Sequence, residues 1–154
     1  MYAKCGLLPK AQAALEELAI RDVVSWNTLI AGYAQDRQYQ EAFRCFEQMK
    51  REGLSPDGIT FVSVLTACSH AGQLNAAQML FTDMNKIYGI TPNLEHYTCM
   101  VSLFGCAGYF DKIISVIKEM PSLDYPAVWL TLLSACEKWG NLKLGKLAFD
   151  QAIQ

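Results

Sequence analysis

A chain that repeats itself at a fixed spacing folds by stacking copies of one unit, because no single copy can bury its own apolar face. Aligning the 154 residues with themselves shows such a spacing in four independent ladders. Aromatic residues fall at Trp26, Phe61, Tyr97 and Trp129, offset by 35, 36 and 32. A second ladder runs Gly6, Arg37, Gly72, Gly108 and Gly140, with Arg37 the single break in a glycine series. Leu18, Met49, Met84 and Met120 form a third ladder and Ala11, Ala42, Ala77 and Ile113 a fourth, both stepping by 31, 35 and 36. The ladders share their unequal steps, so the variation belongs to the repeat itself.

Within one unit, Val24, Leu29, Ile30 and Tyr33 lie on one broad helical stripe of VSWNTLIAGYAQ. A turn around Asp36 and Arg37 leads into a second helical pattern, YQEAFRCFEQM, over 39–49. That helix stops at a glycine followed by a proline, Gly53 with Pro56 and again Gly89 with Pro92. Glycine accepts the left-handed cap and proline cannot continue the helix. The expected fold class is therefore all-α, a right-handed superhelical solenoid of antiparallel helix pairs of tetratricopeptide-like type. Tetratricopeptide units proper want small residues where this chain has Ile30, Leu65, Val101 and Leu133, and again where it has Met49, Met84 and Met120.

Composition narrows the function classes. With 52% hydrophobic and 18% charged residues and a net charge of -2, the chain is neither disordered nor a basic nucleic-acid-binding tail. Cys5, Cys45, Cys68, Cys99, Cys106 and Cys136 form no C-x-x-C pair, and His70 and His96 have no H-E-x-x-H setting, so no metal or other cofactor is expected and a reducing compartment is. No apolar run approaches the ~20 residues that span a bilayer, so no membrane association is expected. The first residues match neither a signal nor a transit peptide, and the chain reads as an internal fragment without its targeting segment. No activated nucleophile or phosphate-cradling loop appears, so the expectation is that the chain is not an enzyme.

The segments MYAKCG, RDVVSWNTLIAGYAQ, SPDGITFVSVLTACSHAG, YGITPNLEHYTCMVSLFGCAG and AVWLTLLSAC follow one another in this order. They resemble signatures of the pentatricopeptide repeat family, and more narrowly the C-terminal repeat region of its plant subclass with mixed long, short and standard repeats. The resemblance covers essentially the whole chain. It implies a partial short repeat over 1–22, a standard repeat over 23–57, a long repeat over 58–93, a short repeat over 94–125 and the start of a helical extension over 126–154. It also implies an organelle protein, of mitochondrion or chloroplast, that binds single-stranded RNA. Such proteins guide C-to-U RNA editing or act in splicing, stability or translation, alongside partner proteins of the editing complex. A deaminase-like domain, carried by some members, has no counterpart within this chain.

The family reads about one base per repeat, through the fifth residue of the first helix and the last residue of the repeat. The resemblance carries these roles to Asn27 and Asp57, a combination similar to the one that prefers uracil, with Val24 packing on the base face. An asparagine amide offers a base edge both donor and acceptor, and an aspartate offers acceptors alone. The long repeat carries Val62 with Asn93, and valine cannot form the hydrogen bond that reading requires. The short repeat carries Thr98, which in the family leans to purines, with Tyr125 at the closing position where aspartate is usual. Asp22 closes the first partial repeat, and Leu130 stands at the reader position of the extension.

Read without the resemblance, the same residues have plainer roles. Asn27 is a helix-facing polar residue and Asp57 a turn-former or N-cap. The aromatic ladder is inter-helix core, and the methionine ladder fills gaps between helices. Glu95 and His96 are helix neighbours that do not face each other, which argues against an acid–base pair. Arg37, Arg44, Lys50, Arg51, Lys86, Lys112 and Lys118 form a solvated face rather than an RNA patch. The isoelectric point near 5.6 is unlike the basic footprint of a phosphate-driven binder. These features support an alternative, a protein-interaction scaffold that docks editing or processing partners. Apolar stacking faces near Ala3 to Leu8 and near Leu147 to Ile153 also make self-association an expectation.

Overall fold

The helices that follow Asp22, Asp57 and Asn93 each begin at a side-chain cap, and that cap recurs with the repeat. A computed structural model describes residue 10, residues 13–14, residues 22–121 and residues 126–152. The ladder residues Gly6, Ala11 and Leu18, the reader candidate Tyr125 and nearly all of the 1–22 repeat lie outside the described residues. Every regular element among the described residues is a helix: α1 (Val23–Gln35), α2 (Tyr39–Arg51), α3 (Gly58–Ala71), α4 (Leu74–Lys86), α5 (Leu94–Ala107), α6 (Phe110–Glu119), α7 (Pro126–Trp139) and α8 (Leu142–Ala152). They fall into two compact units, Met1–Thr91 with α1 to α4 and Pro92–Gln154 with α5 to α8. Among the described residues, no helix is long and apolar enough to cross a membrane.

In the first unit, α1 and α2 form one pair and α3 and α4 the next, with α3 packed on both α1 and α2. The aromatic and methionine ladders supply the core: Trp26, Phe61, Met49 and Met84 are each 0% exposed. Phe46 meets the edge of Phe61 at 5.8 Å between ring centroids, and Phe61 in turn meets Tyr88 at 5.4 Å. The second helix of the pair, α2, buries one stripe, Ala42, Cys45, Phe46 and Met49, at helical spacing. Its other face is solvated, where Arg44 pairs with Glu41 and Lys50 with Glu47. Val24 departs from the stripe predicted for it. Leu29, Ile30 and Tyr33 are buried, but Val24 is 71% exposed, because 3.6 residues per turn place it on the opposite side of α1 from those three.

The second unit repeats the scheme, with one tight helix contact. A side chain at Gly105 of α5 would put its Cβ 2.7 Å from that of Ala135 on α7, so only glycine lets these two helices meet. Trp139 Nε1 donates to the Gly105 carbonyl at 2.8 Å and Lys138 Nζ to the Cys106 carbonyl at 3.3 Å. Both reach carbonyls in the last turn of α5, where the Gly108 N–H also bonds the Gly105 carbonyl at 3.2 Å. Tyr97, Met120, Ile113 and Trp129 continue the ladders and are all buried. Cys45, Cys68, Cys99, Cys106 and Cys136 are thiols outside any disulfide.

The glycine ladder marks the turn that closes each first helix. Gly72, Gly108 and Gly140 hold positive φ of 68°, 79° and 71°, and Arg37 adopts the same left-handed backbone at 59°. The next amide reaches back five residues in each case, Gln38 N to Tyr33 O and Gln73 N to Cys68 O both at 2.9 Å. Arg37 is therefore a break in residue type and not in geometry. A left-handed conformation costs a residue with a Cβ roughly 1–2 kcal/mol, partly offset by the chain entropy that glycine loses on folding. Arg37→Gly is expected to raise stability by about 0.5–1 kcal/mol, read as a higher midpoint of chemical unfolding with an unchanged slope.

Candidate nucleic-acid interface

The fifth residue of α1 and the residue that precedes α3 are joined by a direct hydrogen bond. Asn27 Nδ2 donates to Asp57 Oδ1 at 3.0 Å, across thirty residues of chain. Asn27 is only 6% exposed, whereas Asp57 is on the surface. Asp57 is also the N-cap of α3. Its Oδ1 accepts the Thr60 backbone N–H at 3.0 Å, and its own N–H donates to Thr60 Oγ1 at 3.1 Å, which completes a reciprocal capping box. The helix cap and the bond to Asn27 thus share one Asp57 side chain. Both use Oδ1, and none of these bonds uses Oδ2.

The other closing residues cap helices in the same way. Asp22 accepts from Ser25 N at 2.8 Å and from Ser25 Oγ at 2.7 Å. Asn93 Oδ1 accepts from Glu95 N at 3.0 Å and His96 N at 3.3 Å, and Asn93 N donates to His96 Nδ1 at 3.0 Å. His96 is 0% exposed and belongs to this cap. Among the remaining predicted readers, Val62 is half-buried on α3 in the first unit, while Asn93 belongs to the second. Thr98 donates its hydroxyl to Leu94 O of its own helix at 2.8 Å, so that proton is committed within α5. Leu130 is 54% exposed on α7.

Two exposed apolar side chains accompany the polar pair. Val24 lies one turn before Asn27 on α1, and Ile59, 65% exposed, stands two residues beyond Asp57 on α3. Ile59 occupies the register of Val24 in the next repeat, 35 residues on, and the sequence reading passed over it. The signal was the ladder itself, extended by one repeat. A polar pair with open acceptor capacity beside exposed aliphatic groups can hydrogen-bond the edge of a planar base and pack on its face.

Partial burial pushes the Asp57 carboxyl up, but the hydrogen bonds from the Thr60 and Asn27 amides outweigh it and hold the group below its ordinary 3.8. A depressed carboxylate contributes stability that is present above its unfolded-state value and lost as pH falls through the folded-state value. The parent chain is therefore expected to lose stability below about pH 4 more steeply than Asp57→Asn, which keeps a capping side chain without an ionisable group. Chemical unfolding midpoints across pH 2.5 to 6 (approximate limits) test this.

Comparison with known proteins follows the same register. Three family models match the chain: a PPR repeat family model over residues 21–70, a pentatricopeptide repeat domain over 48–107 and a PPR repeat over 95–125. A mitochondrial pentatricopeptide repeat-containing protein of Arabidopsis thaliana is 43% identical over 153 residues, 99% of this chain and 24% of the relative. A second mitochondrial protein of that description from the same plant is 43% identical over 154 residues, all of this chain and 20% of the relative. The chain thus spans a quarter or less of these relatives. Among solved structures, the pentatricopeptide repeat protein PPR10 in complex with an 18-nucleotide psaJ RNA element matches with a TM-score of 0.85 at 20% identity, over 97% of this chain and 22% of that one. The PPR domain of Arabidopsis thaliana protein-only RNase P 1, in complex with tRNA, matches with a TM-score of 0.73 at 19% identity, over 97% of this chain and 82% of that one. These likenesses show the fold, a helical-repeat solenoid.

Proposed function

The chain belongs to the pentatricopeptide repeat family, and from that premise we propose that it binds single-stranded RNA as part of a longer array, with residues 23–57 selecting one base. The observation that carries this reading is the Asn27–Asp57 hydrogen bond beside exposed Val24. The pair keeps Asp57 Oδ2 and the second Nδ2 proton of Asn27 outside the bonds that build the cap, and these supply an acceptor and a donor to a base edge. Uracil, with a carbonyl next to an N–H, matches that order. Val24 and Ile59 supply apolar contact to base faces. The RNA complexes of PPR10 and of the RNase P domain support the same partner for this chain.

One reader cannot choose a transcript. A good set of base-edge contacts discriminates by ~1–3 kcal/mol, and the other candidates contribute less: Val62 has no hydrogen-bonding group, Thr98 is committed to its own helix, and Tyr125 and Asp22 lack a described partner pair. Selectivity resides in the longer array, where the subclass resemblance supports C-to-U editing in a plant organelle. The mitochondrial relatives favour that organelle over the chloroplast. The net charge of -2 favours a second role, docking of editing or processing proteins, and the exposed Leu147 of α8 suits self-association.

Fluorescence anisotropy of short single-stranded RNAs that differ at one central base tests the reading. The parent chain is expected to favour the U-centred RNA, and Asn27→Ala to bind all four about equally at its weaker level. Equal binding of all four by the parent would contradict base selection by residues 23–57. No binding at any salt concentration would favour the docking role.

A further inference from the structure

Thr60 holds a position that the cap alone does not explain. It is 0% exposed and its Oγ1 meets three groups: the Asp57 N–H at 3.1 Å, Asp57 Oδ1 at 3.0 Å and Asn27 Oδ1 in a short contact. A threonine hydroxyl has one proton to give and two lone pairs to receive. It receives from the Asp57 N–H, so its proton has two competing acceptors. Asp57 Oδ1 already takes the Thr60 amide and the Asn27 amide. Asn27 Oδ1, inside a residue that is 6% exposed, has Thr60 as its donor. The proton therefore belongs to Asn27.

That assignment fixes the amide. With the Thr60 hydroxyl donating to Oδ1, Nδ2 must face Asp57. The flipped amide would set Asn27 Oδ1 against a carboxylate oxygen with no proton between them, a repulsion that remains even if the hydroxyl turns to Asp57 Oδ1. We propose that Thr60 is a positioning residue for base selection, and that its hydroxyl locks the Asn27 amide in the one orientation that presents an N–H beside the Asp57 carboxylate. The proposal rests on the reading of Asn27 and Asp57 as a base-selecting pair. It adds that selection by one repeat depends on a buried hydroxyl in the first turn of the next, so neighbouring repeats are not independent readers.

The test compares the parent, Thr60→Val, Thr60→Ser and Asn27→Ala by anisotropy on U-centred and G-centred RNAs, at a temperature where each is fully folded by circular dichroism. Valine keeps the shape of threonine and removes the hydroxyl; serine keeps the hydroxyl. Thr60→Val is expected to narrow the uracil preference by about fivefold or more, and Thr60→Ser to restore it to within about twofold of the parent. A parent that prefers uracil, an Asn27→Ala chain that does not, and a Thr60→Val chain that retains the full preference would overturn the proposal while leaving the base-selecting pair intact. A parent without preference overturns both. Proton NMR of the unbound parent provides a measurement independent of RNA and of any variant's folding. A slowly exchanging Thr60 hydroxyl proton with contacts to Asn27 is expected, and a Thr60 hydroxyl in fast exchange with water would refute the lock.

Discussion

Trp26→Ala is expected to cost about 3–5 kcal/mol of folding stability, the range for deleting a large buried aromatic side chain. Trp26 is 0% exposed, and its Nε1 donates to Glu52 Oε1 at 3.3 Å. The indole therefore fills the space between α1 and α2 and ties the end of one to the other. A cavity there removes much of the ~5–15 kcal/mol that holds a typical domain, and it opens the core that the two helices of the repeat share. Trp139 is the matched control. It lies off the aromatic ladder, is 51% exposed and packs over Gly108. Trp139→Ala is expected to cost about 1–2 kcal/mol, mostly through the lost bond to the Gly105 carbonyl and the contact it covers. Chemical unfolding followed by circular dichroism compares the two. Similar costs would show that the ladder register does not define the core.

The second large effect falls on Asp57. Asp57→Ala removes the N-cap of α3, worth about 1–2 kcal/mol, and strips the buried Asn27 amide of its partner, which adds about 1 kcal/mol or more. The sum expected is about 2–3 kcal/mol, together with loss of uracil preference. Asp57→Asn separates the two roles, because asparagine caps as well as aspartate yet presents different chemistry to a base. Its stability is expected within about 0.5 kcal/mol of the parent above pH 5 while base preference changes. If Asp57→Ala alters stability alone and leaves base preference untouched, Asp57 is a cap and nothing more.

The ladders made the architecture legible because packing in a repeat array is periodic, and each described ladder residue lies where its series placed it. Trp26, Phe61, Met49, Met84, Ala42 and Ala77 are all at 0% exposure. Arg37 shows why residue type is a weaker guide than register: the turn demands a left-handed residue, and the chain pays for it there without glycine. Val24 departs from the expected stripe because 3.6 residues per turn point it away from Leu29, Ile30 and Tyr33, while Trp26 in the same turn points inward and is buried. The Asn27–Asp57 pairing followed from a family resemblance, not from the residues themselves, which read equally as cap and core polar group. Thr60 was invisible for a different reason. Its importance comes from a contact across 33 residues that no local pattern encodes, although the spacing Asp57-x-x-Thr60 does encode the cap.

The central claim is that the residue at position 27 sets which base this repeat accepts. The direct measurement is anisotropy titration of the parent and of Asn27→Thr with RNAs identical except for one central base, at two salt concentrations so that the phosphate contribution is separated from the base contribution. The account predicts a uracil preference in the parent that moves toward guanine in the variant, as the family pattern for threonine implies, with the salt dependence unchanged. A preference that stays with uracil in both chains, or the same weakening for every base, would contradict it.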